Sequence, residues 1–362
     1  MNNLPKIIDF SPFMGCDPEL FFSKHGEIIG AEKVLSAKKV DSVIIDGVQV
    51  ELNPPPSFCR ALLASNIRTS MHVLKREMEN KGVSLDFSRT ITISKERLME
   101  LSDDSRRLGC APSETVYENT SALKLNTINP EDYRVRSAGG HIHIGMNGTT
   151  KEKEVEYALR KDTKRTVELL DIICGVPSIL LDQDPSNAER RKLYGRAGEY
   201  RLPAHGLEYR TLSNYWLTSY PLMSFAFGMA RLAIQIMSHH ERDVIYKAIT
   251  ERVDPKVAAK VINENDVELA ADIFIAIQDI LVDILPKEQA STGRYPLHRY
   301  NLDQFYHFVD MVVEEGMGYW FNEDPLTHWT KTEPSYSPKY MGFNDFLRVH
   351  VQKDIDSRKK TA

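Results

Sequence analysis

Short stretches in the first half of the chain alternate or cluster apolar residues as strands do, and longer stretches in the second half carry them at helical spacing. "ELFF" at 19–22 and "VIIDGVQVELNP" at 43–54 have the apolar, β-branched content of strands, and Asp46-Gly47 predicts the turn of a hairpin because both residues tolerate positive φ. Prolines 54–56 end that unit, Ser57 is placed to cap a helix running to about Asn80, and "NKG" supplies its stop. "RTITIS" at 89–94 predicts another strand, and so does 141–145, which leads into Asn147-Gly148. A charged amphipathic helix is predicted from about Thr150 to Cys174, closed by Gly175 and Pro177. The Arg, Lys and Gly content of 185–198 predicts a loop, and "EYRLPAHGLEYRTLS" two short strands around Pro203 and Gly206. The apolar stretch 217–240, with Gly228 inside, predicts a buried helix. Beyond about 241 come helices at 254–284 and 301–315, then an aromatic and acidic tail after 320 that ends in "DSRKKTA".

These elements predict an α+β architecture: a mainly antiparallel sheet built from hairpins, with helices packed on one side. Strands do not alternate regularly with helices, which argues against a doubly wound parallel sheet, and neither GxGxxG nor GxxxxGK[ST] is present. The change of texture near 240 divides the chain into a core, 1–240, and a mainly helical extension, 241–362, expected to pack on the core and shape a substrate site.

A formal charge of −5 gives no reason to expect nucleic acid or an anionic membrane as partner. The start "MNNLPKIIDFSPFMG" lacks the charged head and apolar core of a signal peptide, and no apolar run reaches about 18 residues, so a cytoplasmic protein is expected. Cys16, Cys59, Cys110 and Cys174 lie far apart with no CxxC pair, the usage of reduced cysteines rather than of disulfides or a zinc knuckle.

Candidate chemistry enters through pairs of polar residues two apart, which share one face of a strand: Asp17 with Glu19, Glu51 with Gln49 and Asn53, His141 with His143, Glu199 with Arg201, and Glu208 with Arg210. Taken singly, Asp17 and Glu19 read as a solvated edge strand blocked by Pro18, and Asp46 as a turn residue, whereas a hard cation with oxygen ligands would relieve both acidic clusters. In "RSAGGHIHIG" the histidines can hold a metal, approach a phosphate, or sit satisfied within a sheet. "GRAGEYRLPAHGLEYR", 195–210, repeats Glu-Tyr-Arg behind Arg190, Arg191, Lys192 and Arg196. It reads either as two salt bridges beside a solvated basic loop, or as arginine forks for phosphate with carboxylates placed to hold the accompanying Mg²⁺. Tyr194, Tyr200 and Tyr209 suit stacking on a base or packing in a core; His205 lies between the two Glu-Tyr-Arg units, facing substrate in the functional reading. His72, His239 and His240 read as packing or surface residues, and Cys16 as a small buried one.

"GCDPELFF", "DGVQVELNP", "GGHIHIG" and "GEYRLPAHGLEYRTLS", in this order, resemble the phage-encoded carboxylate–amine ligases (COOH-NH2 ligases) related to glutamate-cysteine ligase and, more remotely, to glutamine synthetase. The resemblance covers about 12–220 and implies a glutamine-synthetase-like catalytic core, its curved sheet folded into a partial barrel that gathers two or three Mg²⁺ or Mn²⁺ ions around the phosphates of ATP. Carried over by position, it implies metal ligation by Asp17, Glu19, Asp46, Glu51, His143 and Glu208. His141, Arg196, Arg201 and Arg210 would contact the nucleotide, and Arg210, Arg201, His143 and Glu208 would serve the phosphoryl transfer. The pattern departs from glutamine synthetase in offering Asp17 where a glutamate is characteristic. The implied reaction joins a carboxylate-bearing substrate to an amine-bearing amino acid, peptide or protein through an acyl phosphate, with Glu199 or Glu114 as candidate proton acceptor, and self-association is compatible with it. Two rival readings are a zinc-dependent peptidase or amidohydrolase built on His141 and His143, and a non-enzymatic, virion-associated binding protein using the aromatic tail.

Overall fold

The structure is a computed structural model and describes residues 4–7, 10–58, 60–106, 113–117, 133–182, 184–284 and 324–331. The helix expected at 301–315, most of the aromatic tail, Cys59 and Cys110 lie outside the described residues.

The chain runs through β1 (Phe13–Cys16), turns at Asp17-Pro18, and enters a different sheet as β2 (Glu19–Lys24). That second sheet adds β3 (Glu27–Ile29), β4 (Lys39–Val40), β5 (Val43–Asp46) and β6 (Gln49–Leu52) in the order β3-β2-β6-β5-β4. The predicted hairpin is β5–β6, with a shifted turn: Asp46 pairs with Gln49, so the loop is Gly47-Val48 and Gly47 alone of these takes a positive φ, 58°. Asp46 is therefore the last strand residue, which leaves its carboxylate for other work. The Ser57 backbone exchanges hydrogen bonds of 3.1 and 2.8 Å with Met14. The three prolines before it lack N–H groups and hold the chain extended up to that point. The helix α1 (Arg60–Met78) follows, and Asn80 and Gly82, with φ of 62° and 61°, stop it as expected.

Next, β7 (Ser84–Asp86) pairs with β2, and β8 (Thr90–Thr92) precedes two short helices, α2 (Lys95–Glu100) and α3 (Asp103–Arg106). After β9 (Glu114–Thr115), β10 (Val135–Ser137) pairs with β8. β11 (Ile142–Gly145), β12 (Glu199–Arg201) and β13 (Gly206–Tyr209) complete a five-stranded sheet ordered β1-β11-β13-β12-β9. Every described pairing is antiparallel, and the sheets form a curled, half-barrel-like surface in a mixed α+β fold.

Helices cover one face. From 152 to 181 they run as α4 (Glu152–Glu156), α5 (Thr163–Leu170) and α6 (Val176–Leu181), joined by π-helical turns at Tyr157–Lys161 and Asp171–Gly175. Gly175 and Pro177 do not end this run. Pro177 lies in the first turn of α6, where a missing N–H is tolerated, and a Cβ on Gly175 would stand 2.7 Å from the Tyr209 hydroxyl, so the glycine admits β13 rather than breaking the helix. The expected loop at 185–198 contains α7 (Ser186–Leu193), whose Ala, Glu, Arg and Lys are good helix formers and whose cations complement its C-terminal end. α8 (Tyr220–Met237) is the expected buried helix. α9 (Arg242–Thr250), α10 (Pro255–Glu264) and α11 (Val267–Ile284) follow, the last two separated by Asn265 in the left-handed region. A helix at Pro325–Thr330 packs on α1 and buries Trp329. No helix among the described residues is long and apolar enough to cross a membrane.

Ile142, Ile144, Leu207 and Tyr209 point to the helices and are fully buried. At roughly 1.5–3 kcal/mol for each large apolar side chain, this face holds the sheet, and alternation turns His143 and Glu208 the other way.

Candidate active site

Across the five-stranded sheet Gly15 stands opposite His143, His143 opposite Glu208, and Glu208 opposite Arg201, so the three side chains form one row. At the β1 end, where Gly15 contributes no side chain, the row opens into a cavity of about 400 Å³ bordered by Phe13, Asp17, Pro56, His143 and His205. Asp17, one residue past β1, brings Oδ1 to 3.0 Å from His141 Nδ1 and Oδ2 to 3.1 Å from His143 Nε2. Glu208 lies 3.5 Å from His141 Nδ1 and 3.7 Å from Arg201, and it pairs with Arg210. Ligand atoms of Asp17, His143 and Glu208 all fall within 4.8 Å of one another. Asp17 Oδ1, His141 Nδ1 and His143 Nε2 are buried and answer one another at ion-pair distance, off line for a well-aligned hydrogen bond. Asp17, His143 and Glu208, with two carboxylates and one imidazole, suit a divalent cation.

The second sheet supplies an adjoining group. Glu19 faces Glu51 across β2–β6, Asp46 ends β5, and ligand atoms of the three again lie within 4.8 Å. Burial, then the neighbouring negative charges, pushes Glu51 up to about 9 and Glu19 up to about 7, and raises Asp46. Three crowded carboxylates must hold protons or a cation, and a hard cation takes oxygen ligands of this kind. For Asp17 burial also raises the pKa, but the imidazoles of His141 and His143 outweigh it and hold the carboxyl below the usual range. Burial lowers His141 to about 4 against the pull of Asp17, keeping that imidazole neutral; in His143 burial is outweighed by Asp17 and the pKa rises.

The "GGHIHIG" turn is built by close packing. A Cβ on Gly139 would stand 2.3 Å from His141 Nε2, and one on Gly140 2.2 Å from the Ser213 carbonyl oxygen. The Gly139 N–H donates to Glu19 Oε2 at 2.6 Å, with the Gln49 amide donating to the same oxygen at 3.1 Å, and the Trp216 indole donates to the Gly140 carbonyl at 2.9 Å.

Arg190 and Arg191, read as candidates for phosphate or as part of a solvated basic loop, are buried; Arg190 spends its donors on backbone and Arg191 spends one guanidinium nitrogen there. Arg190 binds the carbonyls of Ala138, Thr211 and Leu212 at 2.8, 3.0 and 2.7 Å; Arg191 binds those of Gly195 and Thr211 at 2.8 and 3.3 Å. Arg196 lines a separate cavity with Lys256 and Lys260 and does not join the acidic groups. Tyr194 is buried. Its hydroxyl lies 2.6 Å from His141 Nε2, accepts from Arg210 at 3.0 Å and reaches Glu19 at 3.4 Å. No periodicity marks this role, because Tyr194 follows α7 and meets strands distant in sequence. Tyr209 donates to Asp171 at 2.7 Å on the core side, and Tyr200 to Glu114 at 2.8 Å at the sheet edge. His205 lies 3.0 Å from His143 Nδ1, whereas Glu199 is buried and accepts from the Gly195 N–H. Burial raises the Cys16 thiol well above its ordinary value, in keeping with a small buried residue. His239, His240 and Glu241 form another group of potential metal ligands, with His240 and Glu241 exposed.

Residues 129–273 match the family described as phage phiEco32-like COOH.NH2 ligase-type 2. The matched span contains His141, His143, Glu199, Arg201, Glu208 and Arg210; Asp17, Glu19, Asp46 and Glu51 precede it, and it ends within α11, beyond the limit near 220 expected from the motifs. No curated protein matches the chain. Among solved structures it is similar to a bifunctional glutathione synthetase from Pasteurella multocida, at 12% identity and a TM-score of 0.46, covering 97% of this chain and 52% of that one. The chain thus spans about half the length of that protein.

Proposed function

We propose that the protein is an ATP-dependent carboxylate–amine ligase working from the acidic cradle. The observation that carries this reading is the meeting of Asp17, Glu19, Asp46, Glu51, His143 and Glu208, from separate strands, in two adjoining groups with Arg201 and Arg210 beside Glu208.

A carboxylate is a poor acyl donor, so it must first be activated. Its oxygen attacks the γ-phosphorus of ATP, ADP leaves, and an acyl phosphate forms; the amine nitrogen then attacks the carbonyl carbon, phosphate leaves, and the ammonium proton passes to a base. Two or three Mg²⁺ or Mn²⁺ ions held by the six ligands would neutralise charge on the phosphate chain. Arg210, fixed by Glu208 and Tyr194, is preorganised to stabilise the transferring oxygens, and Arg201 extends the same cationic end of the row. Neutral His141 accepts or donates at one nitrogen while Tyr194 holds the other. Of the two candidate proton acceptors Glu199 is the nearer, since its carboxyl feels the charge of Arg210, while Glu114 lies at the outer edge on β9.

The donor set supports a hard cation over zinc: each group is dominated by carboxylates, and only His143 contributes imidazole to either. The partners in this reading are ATP, a carboxylate-bearing substrate and an amine-bearing amino acid, peptide or protein. Purified full-length chain incubated with ATP, Mg²⁺ and panels of both substrates is expected to release ADP and phosphate only when both are present, and Glu208→Ala to abolish release. Amide hydrolysis that needs zinc and proceeds without ATP would replace this reading with the peptidase one.

A further inference from the structure

A second cavity, of about 830 Å³, opens between α5, α7 and α10. Tyr117 lines it and shares Asp171 with Tyr209, which places it on the side of β13 opposite to Glu208. None of the six acidic-cradle residues borders it. Lys164, Arg191, Lys192, Arg196, Lys256 and Lys260 line it against only two acids, Glu168 and Glu264, an excess of four positive charges in a chain whose formal charge is −5. Lys256 and Lys260, four residues apart, share one face of α10.

Little within the protein answers these charges. Lys192 pairs with Glu189 at 2.6 Å and Lys260 with Glu264 at 3.8 Å, but all four side chains are exposed, and such pairs contribute about 0–1 kcal/mol. Lys164, Lys256 and Arg196 make no ion pair among the described residues. Glu168 is engaged by the Tyr246 hydroxyl at 2.5 Å. Arg191 is 2% exposed, and its Nε has no hydrogen-bond partner among the described residues. Burial, then the adjacent charge of Arg190, lowers its guanidinium to about 10, the strain of a cation crowded by others.

We propose that this cavity binds a polyphosphate chain, inorganic or carried by a nucleoside, at a place separate from the acidic cradle. Arginine forks and clustered ammonium groups match phosphate oxygens, and several anionic oxygens in one ligand are needed to answer four uncompensated charges. A bowl of about 830 Å³ bordered by three helices is the size of a small polyanion, and the chain's net charge of −5 disfavours a longer nucleic-acid strand. Val116 and Tyr117 give the bowl an apolar wall against which a base can lie.

Calorimetric titration of the full chain with tripolyphosphate and with ATP, both in EDTA at low salt, tests this site apart from the ligase reading, because the acidic cradle repels polyanions when no divalent ion is present. Saturable binding is expected, weakening as salt rises and falling at least tenfold in the double variant Lys256→Glu/Lys260→Glu. Lys164→Glu, on a different helix, gives an independent second arm. Tighter binding of ATP than of tripolyphosphate assigns the nucleoside form, and equal binding the inorganic chain. Failure of the wild-type chain to bind either, or unchanged binding in folded variants, overturns the proposal.

Discussion

The hydroxyl of Tyr194 lies 2.6 Å from Nε2 of His141, and this contact leaves the other imidazole nitrogen facing Asp17 and Glu208. The same hydroxyl accepts from Arg210, so one phenol orients both a candidate ligand-side imidazole and a candidate phosphate-side guanidinium. Tyr194→Phe removes only that oxygen. Activity is expected to fall about 10–100-fold, as for groups that orient the ligands of a metal, with a stability loss of only about 1–2 kcal/mol. Steady-state kinetics alongside chemical denaturation separates the two effects, and an unchanged kcat would remove Tyr194 from the machinery.

Glu51 is held near 9 because it is buried among Asp17, Glu19, Asp46 and Glu208. Glu51→Gln relieves that repulsion without changing shape. The metal-free variant is expected to melt at or above the temperature of the wild type, while Mn²⁺ affinity drops about tenfold or more. Thermal melts with and without Mn²⁺ read both, since binding to the native state raises Tm by mass action. The same Mn²⁺-induced rise in both proteins would show that Glu51 holds no ion.

Arg190 satisfies the backbone carbonyls of Ala138, Thr211 and Leu212 in a dry interior. Arg190→Met keeps the length of the side chain but strands those acceptors, at about 1–3 kcal/mol for each group left unsatisfied. A loss of about 3 kcal/mol or more is expected from urea midpoints. A loss below about 1 kcal/mol would mean that the carbonyls find other partners.

His328 is buried and its Nε2 accepts the Tyr220 N–H at 3.2 Å, an arrangement available only to neutral imidazole. Burial lowers it to about 4, below an unfolded value of roughly 6.5. The unfolded chain therefore takes up the proton first as pH falls. This contribution to stability is full above about 6.5 and is lost progressively toward 4, up to about 3 kcal/mol. Denaturation midpoints at pH 7 and pH 5 are expected to differ more in the wild type than in His328→Asn; an equal difference in both would dismiss the histidine.

Much of the site was legible because strands have a period of two. The spacing of His141 with His143 and of Glu208 with Arg210 assigned shared faces that the register then aligned, and Ile142, Ile144 and Leu207 between them marked the core side. Local rules failed where tertiary contacts outweighed them. Asp46-Gly47 looked like a complete turn, yet pairing with Gln49 moved the loop by one residue and turned the aspartate toward Glu19 and Glu51. Gly175 looked like a helix stop, but it makes room for Tyr209. The basic stretch 190–196 offered a solvated loop or a set of phosphate ligands, whereas carbonyls brought from Ala138 and 211–212 hold Arg190 and one nitrogen of Arg191. Tyr194 had no local signature, since the groups that give it a role come from β2, the turn before β11 and the end of β13.

Asp17-Pro18 is the short corner by which one sheet hands the chain to the other. Tilting one layer against its neighbour by a fraction of a side chain would disturb the alignment of Asp17, His143 and Glu208 with Glu19, Asp46 and Glu51, although each layer kept its own bonds. Heating is therefore expected to silence the protein before it melts it, with the loss reversed on cooling for as long as both layers stay intact.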